Sequence, residues 1–300
     1  MEALLQVSRE APWFFPLFAA LTGACIGSFL NVCIYRIPKG ESVVRPGSHC
    51  ACGRPIAWHD NIPIFSWLIL RGRARCCGRP FSIRYPVIEC ITAILFLACA
   101  LCFGPGKACA GFFLCAIVLC ALFIDHDHMI IPDVFTVGGA AAGLVLSALA
   151  PSLHGQAHDW FVIASMRSVR EAVLGLMVGS ALVLWIALFA EALLKKEAMG
   201  FGDVKYLGAL GTFVGWKGAV FAMFGGAMLG CAWFVLACLW QKLTGRTAGL
   251  RAETPEGQPA ELGFGVHVPF GPMLGVAALL YFFGVSRWVD DYFAGLAVLF

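Results

Sequence analysis

The sequence predicts an all-α polytopic membrane protein with about eight transmembrane helices and a cytoplasmic loop domain between the first and the second. Three observations carry this. Of 300 residues, 60% are hydrophobic and only 13% charged, with a mean hydropathy of +0.83, whereas a soluble domain uses about 25% charged residues. The apolar residues gather in runs close to the roughly 20 residues that cross a bilayer. Positive charge is divided unevenly among the stretches that join those runs.

The apolar runs fall near 13–35, 86–103, 108–124, 131–150, 172–194, 204–215, 218–239 and 266–285, the sixth being short. Helices are expected throughout, because a helix satisfies its own backbone groups in hydrocarbon. The first run continues past Thr22-Gly23-Ala24-Cys25 to Tyr35 with only Arg9 ahead of it, which favours a retained span over a cleaved signal peptide.

Between the first two runs stand Arg36, Lys39, Arg45, Arg54, Arg71, Arg73, Arg75, Arg79 and Arg84, opposed by Glu41 and Asp60. Lys and Arg accumulate on the cytoplasmic side, so this loop is expected there and the N-terminus outside. Alternation then returns 125–130, 195–203 and 241–265 to the cytoplasm, in keeping with Lys195, Lys196, Lys205, Lys242, Arg246 and Arg251. The same bias accounts for the basic loop without a nucleic acid, which is not expected as a partner; the lipid bilayer is. The expected division is 1–35 as the first transmembrane helix, 36–85 as a cysteine-containing cytoplasmic loop domain and 86–300 as a membrane domain. Residues 244–263, rich in Gly, Pro, Glu and Thr, read as a flexible loop.

Ten of the fourteen cysteines lie in or at the ends of apolar runs, where a thiol acts as a small hydrophobe. The other four are Cys50, Cys52, Cys76 and Cys77. A reducing compartment disfavours disulfides, and four thiolates are a structural Zn²⁺ ligand set. The C-x-C and C-C spacings are tighter than the usual knuckles, and His49 or His59 could replace one ligand.

Carboxylates are scarce at membrane depth, and those present are candidate functional groups. Two places stand out: Phe123-Ile124-Asp125-His126-Asp127-His128 running into Ile131-Pro132-Asp133, and Gly200-Phe201-Gly202-Asp203-Val204-Lys205. In the expected topology both lie at one membrane face. Acids favour helix N-termini, which gives Asp133 and Asp203 an ordinary structural reading, but Asp125 ends an apolar run where the helix dipole disfavours it. Two carboxylates held close together share one proton, so that one serves as base and the other as acid. The glycines before Asp203 would let a substrate backbone approach. Lys205 is expected to favour ionisation of a nearby carboxylate. His126 and His128, two residues apart, do not face one another on a helix.

Gly200-x-Gly202-Asp203-x-Lys205, with Asp125 preceding Ile131-Pro132-Asp133, resembles the type IV prepilin peptidase family. Gly27-Ser28-Phe29-Leu30-Asn31-Val32-x-Ile34-Tyr35-Arg36-Ile37-Pro38 is similar to the family's opening. So are Trp58-x-Asp60-Asn61-Ile62-Pro63 with Ser66-Trp67-Leu68, and Ser82-x-Arg84-Tyr85-Pro86-x-Ile88-Glu89. The resemblance runs from about 23 to 230. It implies an inner-membrane aspartic peptidase that removes the basic leader from prepilins and pseudopilins at the cytoplasmic face. It also implies methylation of the new N-terminus with S-adenosylmethionine. By motif, Asp125 and Asp203 are the implied catalytic pair, Asp127 the rival for the first role, and Asp133 a helix-capping or leader-contacting residue. Arg84, Tyr85 and Glu89 fall in the region implied for methyl transfer. The family typically shows C-x-x-C twice, and this chain departs from that pattern.

Two other readings compete. Paired membrane aspartates also serve proton-coupled transporters, which show repeated halves with broken helices, and no second glycine-bracketed aspartate is present. A non-catalytic assembly platform would not need Asp203.

Overall fold

The computed structural model describes residues 10–50, 52–195, 199–244 and 269–297. The expected flexible loop lies outside them from residue 245 on, as do Lys196, Arg246 and Arg251. The described chain is helical: α1 Phe14–Arg36, α2 Phe65–Ile69, α3 Arg84–Cys102, α4 Pro105–His128, α5 Asp133–Leu149, α6 Phe161–Leu194, α7 Phe201–Thr244, α8 Gly271–Leu280 and α9 Ser286–Ala297, with a π-helical turn at Tyr281–Val285 between the last two. No β-strand occurs among the described residues, only isolated antiparallel bridges at His49–Pro55 and Arg73–Pro80.

Among the described residues, six helical segments are long and apolar enough to cross a membrane: Phe14–Lys39, Arg84–Cys102, Pro105–His128, Phe161–Leu194, Phe201–Thr244 and Gly271–Tyr292. Asp133–Leu149 is apolar but shorter. The runs near 204–215 and 218–239, expected as two spans, are two helical arms of α7 that meet without a loop at Gly215. Large side chains such as Trp185, Phe189, Met228 and Trp240 are exposed along these helices, as expected where lipid is the solvent.

The chain divides into two compact units, Met1–Cys120 and Ala121–Phe300. In the first, α1 packs along α3. Side chains are absent where the two meet: a Cβ on Gly23 would fall 2.8 Å from Ala93 Cα, and one on Gly27 would fall 2.7 Å from Glu89 Cα. Small residues that let backbones approach are a common route to helix association in lipid.

In the second unit the first arm of α7 is the core. Val204 and Tyr206 through Gly215 are buried, packed by α5, α6 and α8. A Cβ on Gly175 of α6 would fall on the Gly211 carbonyl oxygen of α7, and one on Gly211 on the Gly175 carbonyl oxygen. At Gly215 the backbone leaves helical geometry with φ 71° and ψ 177°, a conformation open to glycine. The nearby Thr212 carbonyl is met by His154 Nε2 at 3.1 Å and by the Ser147 hydroxyl at 3.3 Å, so the polar group exposed by the break stays satisfied.

Candidate active site

Asp125 sits one turn before the end of α4, where Met129, at φ 53°, donates its N–H to the Asp125 carbonyl at 2.9 Å and closes the helix. Pro132, extended at φ −62° and ψ 145°, precedes α5. This four-residue turn separates two apolar helices and holds the end of one beside the start of the next. Asp203 enters from elsewhere in the chain, as the third residue of α7, its N–H bonded to the Gly200 carbonyl at 3.1 Å.

The fold brings these two carboxylates within electrostatic range of each other. Asp125 is only 5% exposed and Asp203 is partly buried. A buried carboxylate needs donors, and Asp125 Oδ2 accepts the N–H of Gly271, the first residue of α8, at 3.1 Å. Gly271 carried no signal in the residue-level reading, because nothing in Pro269-Phe270-Gly271-Pro272 looks like acid–base chemistry. Its helix-start pattern of glycine and proline was the only available hint.

Asp127 is partly buried two residues beyond Asp125, about 200° around the same helix. Lys205 pairs with Asp133, the first residue of α5, and its ammonium stands 5.6 Å over the Phe201 ring. The carboxylate beside Lys205 is thus that of Asp133, whose Oδ1 also accepts the Thr136 hydroxyl at 3.4 Å. Gly200 and Gly202 are open: the nearest atom to a Cβ at Gly200 is Gly202 N at 4.0 Å, and at Gly202 it is Ile131 Cβ at 3.7 Å. Packing among the described residues does not demand glycine at either position.

In the first unit, the four loop cysteines converge. Their Sγ atoms all lie within 4.8 Å of one another, with Cys50–Cys77 at 3.5 Å and Cys52–Cys76 at 3.4 Å. A tetrahedral zinc–thiolate site with bonds of about 2.3 Å has sulfur–sulfur edges of about 3.8 Å, so the donor set fits Zn²⁺. The spacing problem is solved by two turns. Gly53, at φ 83°, returns its N–H to the Cys50 carbonyl at 2.8 Å, and Gly78, at φ 67°, returns its own to Ala74 at 2.8 Å. The Cys52 backbone N–H, then the Cys76 and Cys77 thiols, lower Cys50 to about 7, while hydrogen bonds to Cys50 and Cys52 push Cys76 up to about 12. His49 Nδ1 instead faces the Gly47 carbonyl at 3.0 Å, and the Asp60 carboxylate is gripped by Arg75 through contacts of 2.9 and 3.0 Å.

Glu89 is buried in α3 and its Oε2 accepts the Ile64 N–H at 2.7 Å, with the Ser28 hydroxyl as a second donor. It holds Ile64 at φ 65°, a strained conformation for a β-branched residue. Arg84 and Tyr85 lie at the start of the same helix, the Tyr85 carbonyl accepting from Asn31 Nδ2 at 3.2 Å.

Residues 21–103 match the Bacterial Peptidase A24 N-terminal domain and residues 112–235 the Type IV leader peptidase family. Among curated relatives, a Prepilin leader peptidase/N-methyltransferase of Aeromonas hydrophila is 34% identical over 96% of this chain and 98% of its own. Proteins of the same name from Myxococcus xanthus and Klebsiella pneumoniae are 37% and 36% identical, over 83% and 71% of this chain and 70% and 91% of their own. No solved structure matches. Two domain matches that together cover most of the sequence, and relatives aligned nearly end to end, establish that the chain belongs to the type IV leader peptidase family.

Proposed function

We propose that the protein is a membrane aspartic endopeptidase that removes the basic leader from a prepilin or pseudopilin, with Asp125 and Asp203 as its catalytic pair. The observation that supports this is that carboxylates from two separate helix ends lie within electrostatic range of each other, one of them almost wholly buried. The ionised partner takes a proton from water as the water oxygen bonds to the scissile carbonyl carbon. The carbonyl oxygen then takes the proton of the other carboxyl, and the C–N bond breaks as the amine is protonated. The open glycines Gly200 and Gly202 leave room for a substrate backbone to lie beside Asp203. The exposed carboxylate of Asp133 is a contact for the leader's basic residues, with Asp127 as a second.

In this reading the protein spans the bacterial inner membrane with its N-terminus outside and the site at the cytoplasmic face. That orientation rests on the arginines of loop 36–84. Residues 1–35 form the first span, 36–85 the loop domain and 86–300 the peptidase domain. Zn²⁺ held by Cys50, Cys52, Cys76 and Cys77 would tie the loop's two turns together. N-methylation of the product is the relatives' second named activity and is proposed on that ground. S-adenosylmethionine would supply the methyl group, with Arg84, Tyr85 and Glu89 as the candidate region by resemblance. Among the described residues the transporter reading gains no matching pair of broken halves, since the break at Gly215 has no counterpart there.

The test is cleavage of a prepilin by the protein in lipid nanodiscs, with the product read by mass spectrometry. Asp125→Asn and Asp203→Asn are expected to lower kcat at least a thousandfold while Asp127→Asn cleaves. Full cleavage by the Asp203 variant overturns the reading, and a 14 Da gain on the product with added S-adenosylmethionine establishes methylation.

A further inference from the structure

We infer that Gly271 is a positioning residue of the proposed catalytic pair: its backbone N–H holds one oxygen of Asp125, and this makes Asp125 the base and Asp203 the acid. The inference rests on the peptidase reading for its mechanistic half and on geometry alone for the contact. Three features of Gly271 converge. Its N–H is 3.1 Å from Asp125 Oδ2. It opens α8 and is followed by Pro272, so it is a helix-start donor with no partner inside its own helix, beside a residue that has no N–H to offer. A Cβ at this position would lie 2.7 Å from Asp125 Oδ2 and 2.9 Å from Ile131 Cδ1, so a methyl here would displace the carboxylate oxygen or the Ile131 tip from its place.

These features make a seat for the carboxylate, lined by Ile131 and capped by the positive end of a helix. Hydrogen bonds from backbone N–H groups to carboxylates are among the stronger ones, and the helix terminus adds to them. With Oδ2 turned to Gly271, Oδ1 is left for water. Among the described residues no hydrogen bond holds the Asp203 carboxylate, so the two acids are not equivalent. The shared proton starts on Asp203. Asp125 Oδ1 takes a proton from water while Asp203 gives its own to the carbonyl oxygen, producing a gem-diol. On collapse Asp125 passes its proton to the leaving nitrogen, the C–N bond breaks, and a diol hydroxyl returns a proton to Asp203. Both acids end as they began. Gly271 touches neither water nor substrate; it fixes which carboxylate oxygen faces them.

The experiment uses the full chain in nanodiscs and has two arms. In the first, Gly271→Ala is compared with wild type and with Gly284→Ala, where a Cβ meets nothing within 4 Å. Gly271→Ala is expected to lower kcat for prepilin cleavage at least a hundredfold, with KM within threefold and an unchanged unfolding midpoint, while Gly284→Ala behaves as wild type. A Gly271→Ala enzyme that turns over within threefold of wild type overturns the inference. The second arm needs no activity. Amide hydrogen exchange is read on the peptide around Gly271, whose proline neighbours at 269 and 272 leave few amides to confuse it. Asp125→Ala is expected to speed exchange at Gly271 at least tenfold and Asp127→Ala to leave it alone. Equal exchange in both variants removes the contact. A wild-type chain that cleaves no prepilin defeats the peptidase reading and leaves this second arm to decide the geometry.

Discussion

Lys205 of α7 pairs with Asp133 of α5, fastening the first turn of one helix to the first residue of another next to the Asp125–Asp203 pair. Asp133 is 67% exposed at its side chain and Lys205 30%, so the pair is only partly shielded and contributes little to stability. Its importance is geometric. The α7 start that carries Asp203 is held against the turn that follows Asp125.

Lys205→Met and Asp133→Asn are each expected to reduce the prepilin cleavage rate several-fold with little change in unfolding temperature. The reciprocal double variant Asp133→Lys/Lys205→Asp should recover part of the loss. A double-mutant cycle on kcat checks this, and strict additivity of the two single losses would mean that the residues act separately.

Gly202→Ala is expected to leave stability unchanged, since the added methyl meets Ile131 Cβ only at an ordinary 3.7 Å. It should raise KM for a prepilin by about tenfold, roughly the 1.4 kcal/mol equivalent, because the methyl occupies space on the exposed side. Measuring KM and the thermal midpoint together separates crowding of the substrate from damage to the fold.

Gly211→Leu should be the most disruptive of the glycine changes. Its Cβ would fall on the Gly175 carbonyl oxygen, backbone that no rotamer change can clear, and overpacking of this kind costs about 1–3 kcal/mol or more. A fall in folded yield and midpoint, read by tryptophan fluorescence in detergent against Gly284→Ala, is the expected result.

The cysteine cluster predicts one zinc per chain by elemental analysis of the purified protein. Chelation, or Cys76→Ser, should release the metal and open the loop between residues 50 and 80 to proteolysis, with the helices of the second unit unaffected. A chain that keeps a protease-resistant loop after complete chelation would show that the thiols pack without needing a metal.

The same loop should loosen in acid. The Arg75 guanidinium holds the Asp60 carboxyl below its ordinary value. A depressed folded-state value means that the pair's stabilisation is fully present above the unfolded value of about 3.9 and is lost as pH falls through the lower, folded one. Protease sensitivity of the loop is therefore expected to rise below about pH 4, and Asp60→Asn should make the loop equally sensitive at neutral pH.

Much was legible before folding. The helical membrane class follows from composition, since few charges leave no way to clothe a soluble surface. The acids at 125 and 203 stand out because a carboxylate at the end of an apolar run has a high desolvation cost. The glycine-bracketed motif is local and can be recognised as written. Tertiary structure decided the rest, because the deciding contacts join residues distant in sequence. Lys205 meets Asp133, 72 positions away, and Gly271 meets Asp125 across 146. The four cysteines, with spacing that looks too tight for a metal, come together because two left-handed glycines turn their hairpins toward each other. The runs at 204–215 and 218–239 are divided by a sharp break and not by a loop, because Gly215 can adopt a positive φ and because His154 and Ser147 satisfy the nearby carbonyl. Hydropathy and motif chemistry are properties of a residue and its neighbours, so the sequence alone determined the solvent and the reactive groups. Partnership depends on where helices cross, and that is set by which glycines let two backbones touch.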